Sequence, residues 1–249
     1  MNMERLGKIS GRTVVQLAPG NQSRNLLVEK NSVAEILVPK QTGLQKLELQ
    51  LQAGAGVHLI LHGVCPSSKI NCRVEKNARL TITLLGRQQK NYTIKFNVDL
   101  IGERSDCHLQ LALVDQNNGH GKVECLINHQ AVNTVGRIIS RRILQQEATG
   151  AFACTLKVGR EAHGTDTYLS DKAVLVGEKS KATSDPRMEI LTNNVKASHG
   201  VTIGQLSPEE FFYLRSRGIW EEQALLLLLK AFLKPALVGV DPKLQGDLI

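Results

Sequence analysis

Three side chains in the second half of the chain have the chemistry of metal ligands. His199 offers an imidazole, Glu189 a carboxylate and Cys154 a thiolate, and iron accepts all three kinds of donor. Each also has a structural interpretation. His199 can be satisfied by a backbone hydrogen bond beside Gly200, whose freedom of backbone would serve a turn. Glu189 can be the solvent-facing residue of an alternating strand, and Cys154 can be a small apolar residue of the core. The residue types alone leave both interpretations open.

A second group of side chains has the composition of a protein interface. Phe212, Tyr213, Arg215 and Arg217 lie within six residues of one another, and aromatic residues and arginine are enriched at binding hot spots. Alternatively, the aromatic rings fix a helix to the body of the protein. Both roles are compatible, because a docking helix must itself be held in place. We predict that these four residues bind a partner.

Signatures of catalysis are absent from the sequence. It contains no Walker lysine motif, no Gly-x-Ser-x-Gly, no His-Glu-x-x-His and no dinucleotide-binding glycine fingerprint. We therefore predict no catalytic residues and no bound organic cofactor, and any ATP hydrolysis must come from a partner.

The five cysteines do not predict a disulfide framework. They are odd in number and contain no Cys-x-x-Cys pair, so most are expected to fill strand positions. They are Cys65, Cys72, Cys107, Cys125 and Cys154.

Charge and hydropathy narrow the class of protein further. The chain has 249 residues and a net charge of +8, but its basic residues are scattered and aromatics make up only 4% of it. This distribution disfavours nucleic-acid binding, which uses clustered cations and stacking rings. The amino terminus lacks the apolar stretch of a secretory signal, and the longest apolar run, residues 224–229, is too short to cross a bilayer. We expect a cytoplasmic protein that does not bind a membrane.

The elements that position these residues are predominantly strands. From about residue 13 to 201, apolar and polar residues alternate in short runs separated by Gly- and Asn-containing turns, which is a β pattern. The clearest runs are residues 57–61, 79–85, 92–100 and 108–114. A sandwich, a barrel and a β-solenoid all fit such a pattern. The recurrence of strands over nearly two hundred residues favours the solenoid.

The last fifth of the chain is predicted to be helical. Ser207 is an N-cap followed by proline at the first helical position, and Glu210 completes a capping box. This helix should run to Arg217 and end at Gly218. A second helix is predicted from about residue 220 to 233, with an apolar stretch that packs on the β body or receives another protein. We predict a β core over residues 1–205 and a helical domain over residues 206–249.

The carboxy-terminal motifs resemble those of the SufB/SufD family of iron-sulfur cluster assembly proteins. The resemblance covers roughly residues 120–235, and the first hundred residues carry no assignable motif. The matching segments are residues 186–190 (PRMEI), 194–204 (NVKASHGVTIG) and 211–219 (FFYLRSRGI), with 165–170 (TDTYLS) and 151–152 (AF) upstream.

The resemblance implies a right-handed parallel β-helix followed by a small helical domain. It also implies a scaffold or accessory role, with a SufC-type ABC ATPase docked on the carboxy-terminal helices. Pairing through the β-helix is implied with a SufB-type partner or with a second copy. The histidine matching His199 is the family's candidate metal ligand at that interface, which implies a transient iron-sulfur cluster.

The chain departs from the family pattern in ways that bear on cluster assembly. We expect it to lack the helical amino-terminal part of larger members. Gly200 stands where many SufB proteins have a glutamate, and no cysteine follows Cys154, so the motif is similar to SufD.

Two rival functions remain at this point. A carbohydrate-active β-helix enzyme would use carboxylates in a groove, and a polysaccharide-lyase assay would detect it. A basic nucleic-acid-binding module would show binding that weakens steeply with salt.

Overall fold

The computed structural model describes residues 7–18, 23–39, 43–63, 66–246 and 248. Cys65 and the first six residues, on which part of the analysis above depends, lie outside these ranges.

Two parallel sheets of eight strands each run the length of the β region, and the chain alternates between them. The odd sheet contains β1 (Gly7–Ile9), β3 (Ser23–Val28), β5 (Lys46–Leu51), β7 (Ser67–Val74), β9 (Tyr92–Leu100), β11 (His120–His129), β13 (Thr149–Val158) and β15 (Lys181–Ile190). The even sheet contains β2 (Arg12–Gln16), β4 (Val33–Val38), β6 (Gly56–His62), β8 (Arg79–Gln88), β10 (Asp106–Asp115), β12 (Val135–Leu144), β14 (Thr165–Leu175) and β16 (Val195–Gly204).

This arrangement is a parallel β-solenoid, as the sequence predicted, and the sandwich and barrel alternatives are wrong. Each coil adds one strand to each sheet, so every strand pairs with the strand two places along the chain. A right-handed path is the one that such parallel crossovers favour. The four strand runs named from the sequence lie in β6, β8, β9 and β10.

Alternation along each strand separates an apolar interior from a polar exterior. In β9 and β13 every second side chain is buried, and the inward residues of successive coils stack in columns. One such column is Ile36, Leu59, Ile82, Leu109, Ile138 and Leu169. Burying these columns provides the main favourable term in folding.

The coils lengthen toward the carboxy terminus, and some of the turns between strands contain an extra residue. Ser23 pairs with Lys46 near one end and Thr149 with Lys181 near the other, so the repeat grows from 23 to 32 residues. In the turn that follows β9, Ile101 and Gly102 both donate their N–H groups to the carbonyl of Val74, which accommodates an extra residue.

Left-handed backbone conformations in the turns fall only partly where the sequence suggested. Gly54, Asn77 and Asn117 take positive φ as expected from the Gly- and Asn-containing turn groups. In the group at residues 102–106, however, Arg104 takes a φ of 57°. Gly102 is needed for a different reason, since a Cβ there would lie 1.9 Å from the backbone nitrogen of Lys76.

The helices begin and end close to their predicted positions. They are α1 (Pro208–Ser216), α2 (Glu221–Leu233) and α3 (Pro242–Gln245), with a 3-10 turn at Lys234–Ala236. Ser207 caps α1 by accepting a hydrogen bond from the N–H of Glu210, and its hydroxyl donates to the carboxylate of Glu209. Gly218 has a φ of 82°, as a helix-ending glycine should.

The second helix and the residues after it pack on the outer face of the even sheet. Leu229, Leu233 and Leu237 form an apolar cluster with Ile60 and Ile143 and with other outward side chains of that sheet. The apolar stretch of α2 is therefore partly used in covering the solenoid. Over the ranges the structure describes, no helix has the length and hydropathy that crossing a bilayer requires.

Candidate metal and partner-binding sites

His199 lies on β16, the last strand of the even sheet. Its partner across the strand pair is Leu169, so it continues the inward column that includes Ile138. No further coil covers β16, and the His199 side chain is therefore exposed although it occupies an interior position. The imidazole sits at the exposed cross-section of the solenoid, where a second molecule can reach it.

Gly200 does not have the backbone role considered above. Its φ is not positive, and a Cβ at this position would meet no atom within 4 Å. Neither backbone conformation nor crowding within the chain requires glycine there.

Glu189 occupies an outward position near the end of β15. Its carboxylate lies 3.7 Å from the ammonium group of Lys157, and both side chains are largely exposed. Glu189 therefore sits on the outer face of the odd sheet, whereas His199 extends an inward column of the even sheet.

Cys154 faces the interior of the solenoid and is only 2% exposed. It pairs in register with Cys125 on one side and Pro186 on the other. Burial and a hydrogen bond from the Cys125 thiol to Cys154 hold the pKa of Cys125 well above its usual value, so Cys125 stays a protonated thiol. All four cysteines in the described ranges are free and buried.

The three predicted metal ligands are not brought together within one chain. Considering only the part of the chain that the structure describes, no group of three His, Cys, Asp or Glu residues could hold a metal ion.

The C-terminal edge, which we define as the unpaired sides and exposed inner faces of β15 and β16, is apolar. Ile190, Val201 and Ile203 remain more than a third exposed there, and Leu191 is more than half exposed. Both strands are ten residues long and end their sheets without a neighbour. Long exposed edge strands offer rows of N–H and C=O groups to another chain. None of these apolar residues was predicted to form a binding surface, because alternation does not show that a strand is the last in its sheet.

The α1 helix presents aromatic residues to solvent. None of its residues is buried, Phe212 is 72% exposed and Tyr213 is also exposed. Trp220, just after this helix, is 76% exposed. The residue types predicted a binding role for Phe212 and Tyr213, whereas the sequence placed Trp220 only at the start of the second helix.

The two arginines of this region are arranged around the aromatic surface. The guanidinium of Arg217 lies 5.3 Å from the centre of the Tyr213 ring, a cation–π distance. Arg215 donates to the carbonyl of Ile219 at 3.4 Å. The interpretation that the aromatic rings of Phe212 and Tyr213 only fix α1 to the body does not fit their exposure.

A polar group inside the last coils was not foreseen from the sequence. Arg142 and Asp171 form a two-point ion pair, with nitrogen to oxygen distances of 3.2 and 2.7 Å, and both are essentially fully buried. Nearby, the hydroxyl of Tyr92 donates to Asp115 at 3.4 Å, and burial raises the pKa of Asp115 to about 7. The sequence indicates this buried polar group only by placing charged residues at strand positions where the alternation predicts inward, apolar side chains.

Comparison with known proteins decides the family. The family described as "SUF system FeS cluster assembly, SufBD core domain" matches residues 10–232. The chain belongs to the SufB/SufD family. This match begins well before residue 120, so family similarity extends into the amino-terminal coils, where the sequence analysis found no motif.

Individual members of the SufB/SufD family are moderately similar to the chain. An iron-sulfur cluster assembly SufBD family protein of Synechocystis is 26% identical over 88% of this chain and 47% of its own length. SufD of Escherichia coli is 27% identical over 55% of this chain and 32% of its own. SufB of Bacillus subtilis is 32% identical over 43% of this chain and 23% of its own. The chain thus spans less than half the length of these curated relatives.

Proposed function

We propose that this chain is a scaffold or accessory subunit of SUF-type iron-sulfur cluster assembly and has no active site of its own. Family membership supports the assembly role. The single observation that carries the scaffold role is the exposed aromatic surface of α1, which the solenoid leaves uncovered. A surface of this composition is typical of a protein-binding site.

The partner proposed for α1 is a SufC-type ABC ATPase. Phe212 and Tyr213 would supply apolar anchors, while Arg215 and Arg217 would add polar contacts around them. Because α2 is packed on the even sheet, movement of an ATPase bound to α1 would be transmitted to the solenoid through α2.

The second proposed contact is through the C-terminal edge, with a SufB-type subunit or a second copy of the chain. Pairing would cover the exposed apolar residues and place His199 at the interface. The iron-sulfur cluster is the cargo in this proposal, and donors of the second chain would complete its ligand set. Glu189 and Cys154 are weaker ligand candidates, since Glu189 faces outward and Cys154 is enclosed. The four cysteines that the structure describes are free thiols, which suits a reducing compartment, and we propose the cytoplasm.

Copurification with a SufC-type ATPase tests the first contact. The double substitution Phe212→Ala and Tyr213→Ala should weaken ATPase binding about tenfold or more, because it removes two aromatic side chains of the kind that dominate binding energy at interfaces. Val14→Ala, which trims an equally exposed apolar residue on β2, is the matched control and should bind normally. If the unaltered chain does not retain the ATPase, the docking proposal is wrong.

Anaerobic reconstitution with iron and sulfide tests the proposed ligand. His199→Ala should lower the cluster absorption of the paired protein, whereas His108→Ala, on the outer face of the even sheet, should not. Equal cluster content in all three proteins would remove His199 as a ligand.

A further inference from the structure

A groove crosses the outer face of the odd sheet at the start of β13, far along the strands from the Glu189 end. Its volume is about 720 Å³. The floor is made by the small residues Thr149, Gly150 and Ala151, which open β13. We call this depression the β13 groove.

Basic side chains stand on both sides of the β13 groove. The basic residues His120 and Lys122 come from β11, and Lys181 comes from β15, which also contributes the hydroxyl of Thr183. Since β11 and β15 are the two neighbours of β13, their backbones are about 10 Å apart, and lysine side chains from both can reach one ligand between them. The register places His120, Thr149 and Lys181 in one row and Lys122, Ala151 and Thr183 in the next.

The groove carries uncompensated positive charge. Among its described lining residues none is acidic, and Lys181 makes no ion pair. Lys122 lies 2.6 Å from Glu124, but Glu124 is also bound at 2.6 Å by Lys95. One carboxylate shared by two lysines leaves that trio with a net positive charge.

Hydrogen bonds hold the polar wall in place before any ligand arrives. The N–H of His120 donates to the side-chain oxygen of Asn91 at 3.0 Å, and the His120 ring is hydrogen-bonded to the Thr149 hydroxyl. Donors that are fixed in advance lose less entropy on binding. Ammonium, hydroxyl and imidazole groups converge here with no carboxylate among the described lining residues, and such a set of donors matches an oxyanion.

We propose that the β13 groove binds the phosphate group of a small phosphorylated molecule. The ammonium groups of Lys181 and Lys122 would bind the phosphate from opposite sides, and the Thr149 hydroxyl would donate a hydrogen bond to it from the floor. The groove falls in the size range of small-molecule sites, so the ligand extends beyond the phosphate itself. The groove uses the outer face of β15, whereas the C-terminal edge uses its inner face and unpaired side, and none of the groove's lining residues is on α1. Phosphate binding here does not depend on the proposed assembly role.

Backbone amide NMR at constant ionic strength tests the proposal on the full chain. Inorganic phosphate, pyrophosphate, adenosine monophosphate and adenosine are the four probes, with chloride as the compensating anion. The three phosphate-containing probes should shift the amides of Gly121, Gly150 and Ala151 in a saturable way, and adenosine alone should not. Binding of adenosine monophosphate equal to that of inorganic phosphate would identify free phosphate as the ligand and overturn the proposed larger molecule.

Substitutions separate a built site from general attraction to a basic protein. Lys181→Ala should weaken phosphate binding about tenfold, the cost of losing a hydrogen bond to a charged group. Ala151→Glu, which keeps both lysines but adds a carboxylate to the floor, should abolish binding. Lys157→Ala, with the same loss of charge at the far end of β13, should change affinity less than about twofold. Shifts scattered over exposed lysines, or unchanged binding in Lys181→Ala, would mean an adventitious ion only and would overturn the proposal.

Discussion

The interior side chains of the solenoid differ in polarity between its two ends. Interior columns such as that of Leu59 and Ile82 are apolar, whereas the later coils enclose Arg142, Asp171 and His129. Burial, assisted by the charge of Arg137, lowers the pKa of His129 to about 4, so the imidazole is neutral at physiological pH. Its Nδ1 is hydrogen-bonded to the Thr134 hydroxyl at 2.8 Å. Specific hydrogen bonds and the Arg142–Asp171 ion pair thus connect polar groups inside the later coils.

Asp115 predicts a distinct pH dependence of stability. Its folded pKa of about 7 lies above the value of an unfolded aspartate, because burial outweighs the hydrogen bond from Tyr92 and the charge of Arg142. Between about pH 4 and 7 the folded state holds a proton that the unfolded state releases, so this residue costs stability as pH rises and the cost is complete above pH 7. Asp115→Asn should therefore stabilise the protein at pH 8, on the order of 2–4 kcal/mol, and have little effect at pH 4.

Urea unfolding at pH 4 and pH 8 measures the Asp115 effect. Asp185→Asn is the control, because Asp185 is exposed and its ion pair with Arg187 lowers its pKa. That substitution should give no stabilisation at pH 8. An Asp115→Asn protein with the same change in unfolding free energy at both pH values would contradict the assignment.

At the scale of elements, the turns determine how closely successive coils can stack. Backbone N–H groups in one turn donate to carbonyls in the next, as from Asn77 to Glu103 at 2.9 Å and from Asn133 to His163 at 2.8 Å. Where a turn gains a residue, a glycine lies against the backbone of the preceding turn. Gly102 does so against Lys76, and Gly177 against Gln146.

The substitution Gly102→Ala should destabilise the solenoid by about 2 kcal/mol or more, because the added methyl group would overlap backbone atoms that cannot move independently of the ladder. Gly200→Ala is the matched control, since nothing lies near its Cβ position. Thermal or urea unfolding measures both variants. Equal stability of the two proteins would show that the turns have room that the structure does not indicate.

At the scale of the whole molecule, the two ends of the solenoid are exposed to different degrees. β1 and β2 have three and five residues, whereas β15 and β16 have ten each. Short edge strands resist pairing with other chains, and long ones with exposed apolar residues favour it. The C-terminal edge is therefore the end at which we expect a second subunit to bind, and α1 and α2 belong to the same end of the sequence.

Self-association through the C-terminal edge can be tested with Val201→Lys. A charged side chain at the centre of the edge should shift sedimentation or light-scattering mass from dimer toward monomer, because an unpaired ammonium would be buried on pairing. Val14→Lys at the opposite end should leave the mass unchanged, as Val14 is on β2 and even more exposed. Loss of the dimer in both variants would indicate general charge repulsion. If the unaltered chain is monomeric, self-association through the edge is wrong, and the same two variants should be compared for binding to a SufB-type subunit.

Local sequence determined the strands, most turn conformations, the ends of α1 and α2, and the residues whose chemistry suits metals or partners. Those features depend on neighbours within a few residues, through alternation, capping and backbone preference. Resemblance to the family motif added the predictions that His199 binds metal and that α1 binds a partner.

Only the tertiary structure decided which of these residues are reachable, because that depends on coils 23 to 32 residues apart in sequence. Cys154 and His199 both occupy inward strand positions, yet one is enclosed by its neighbouring coils and the other is exposed because no coil follows β16. Pairing in register likewise creates the Arg142–Asp171 ion pair and the β13 groove from residues that are distant in the chain. Long-range stacking, which no local pattern encodes, therefore sets the burial of these side chains and which of them come together.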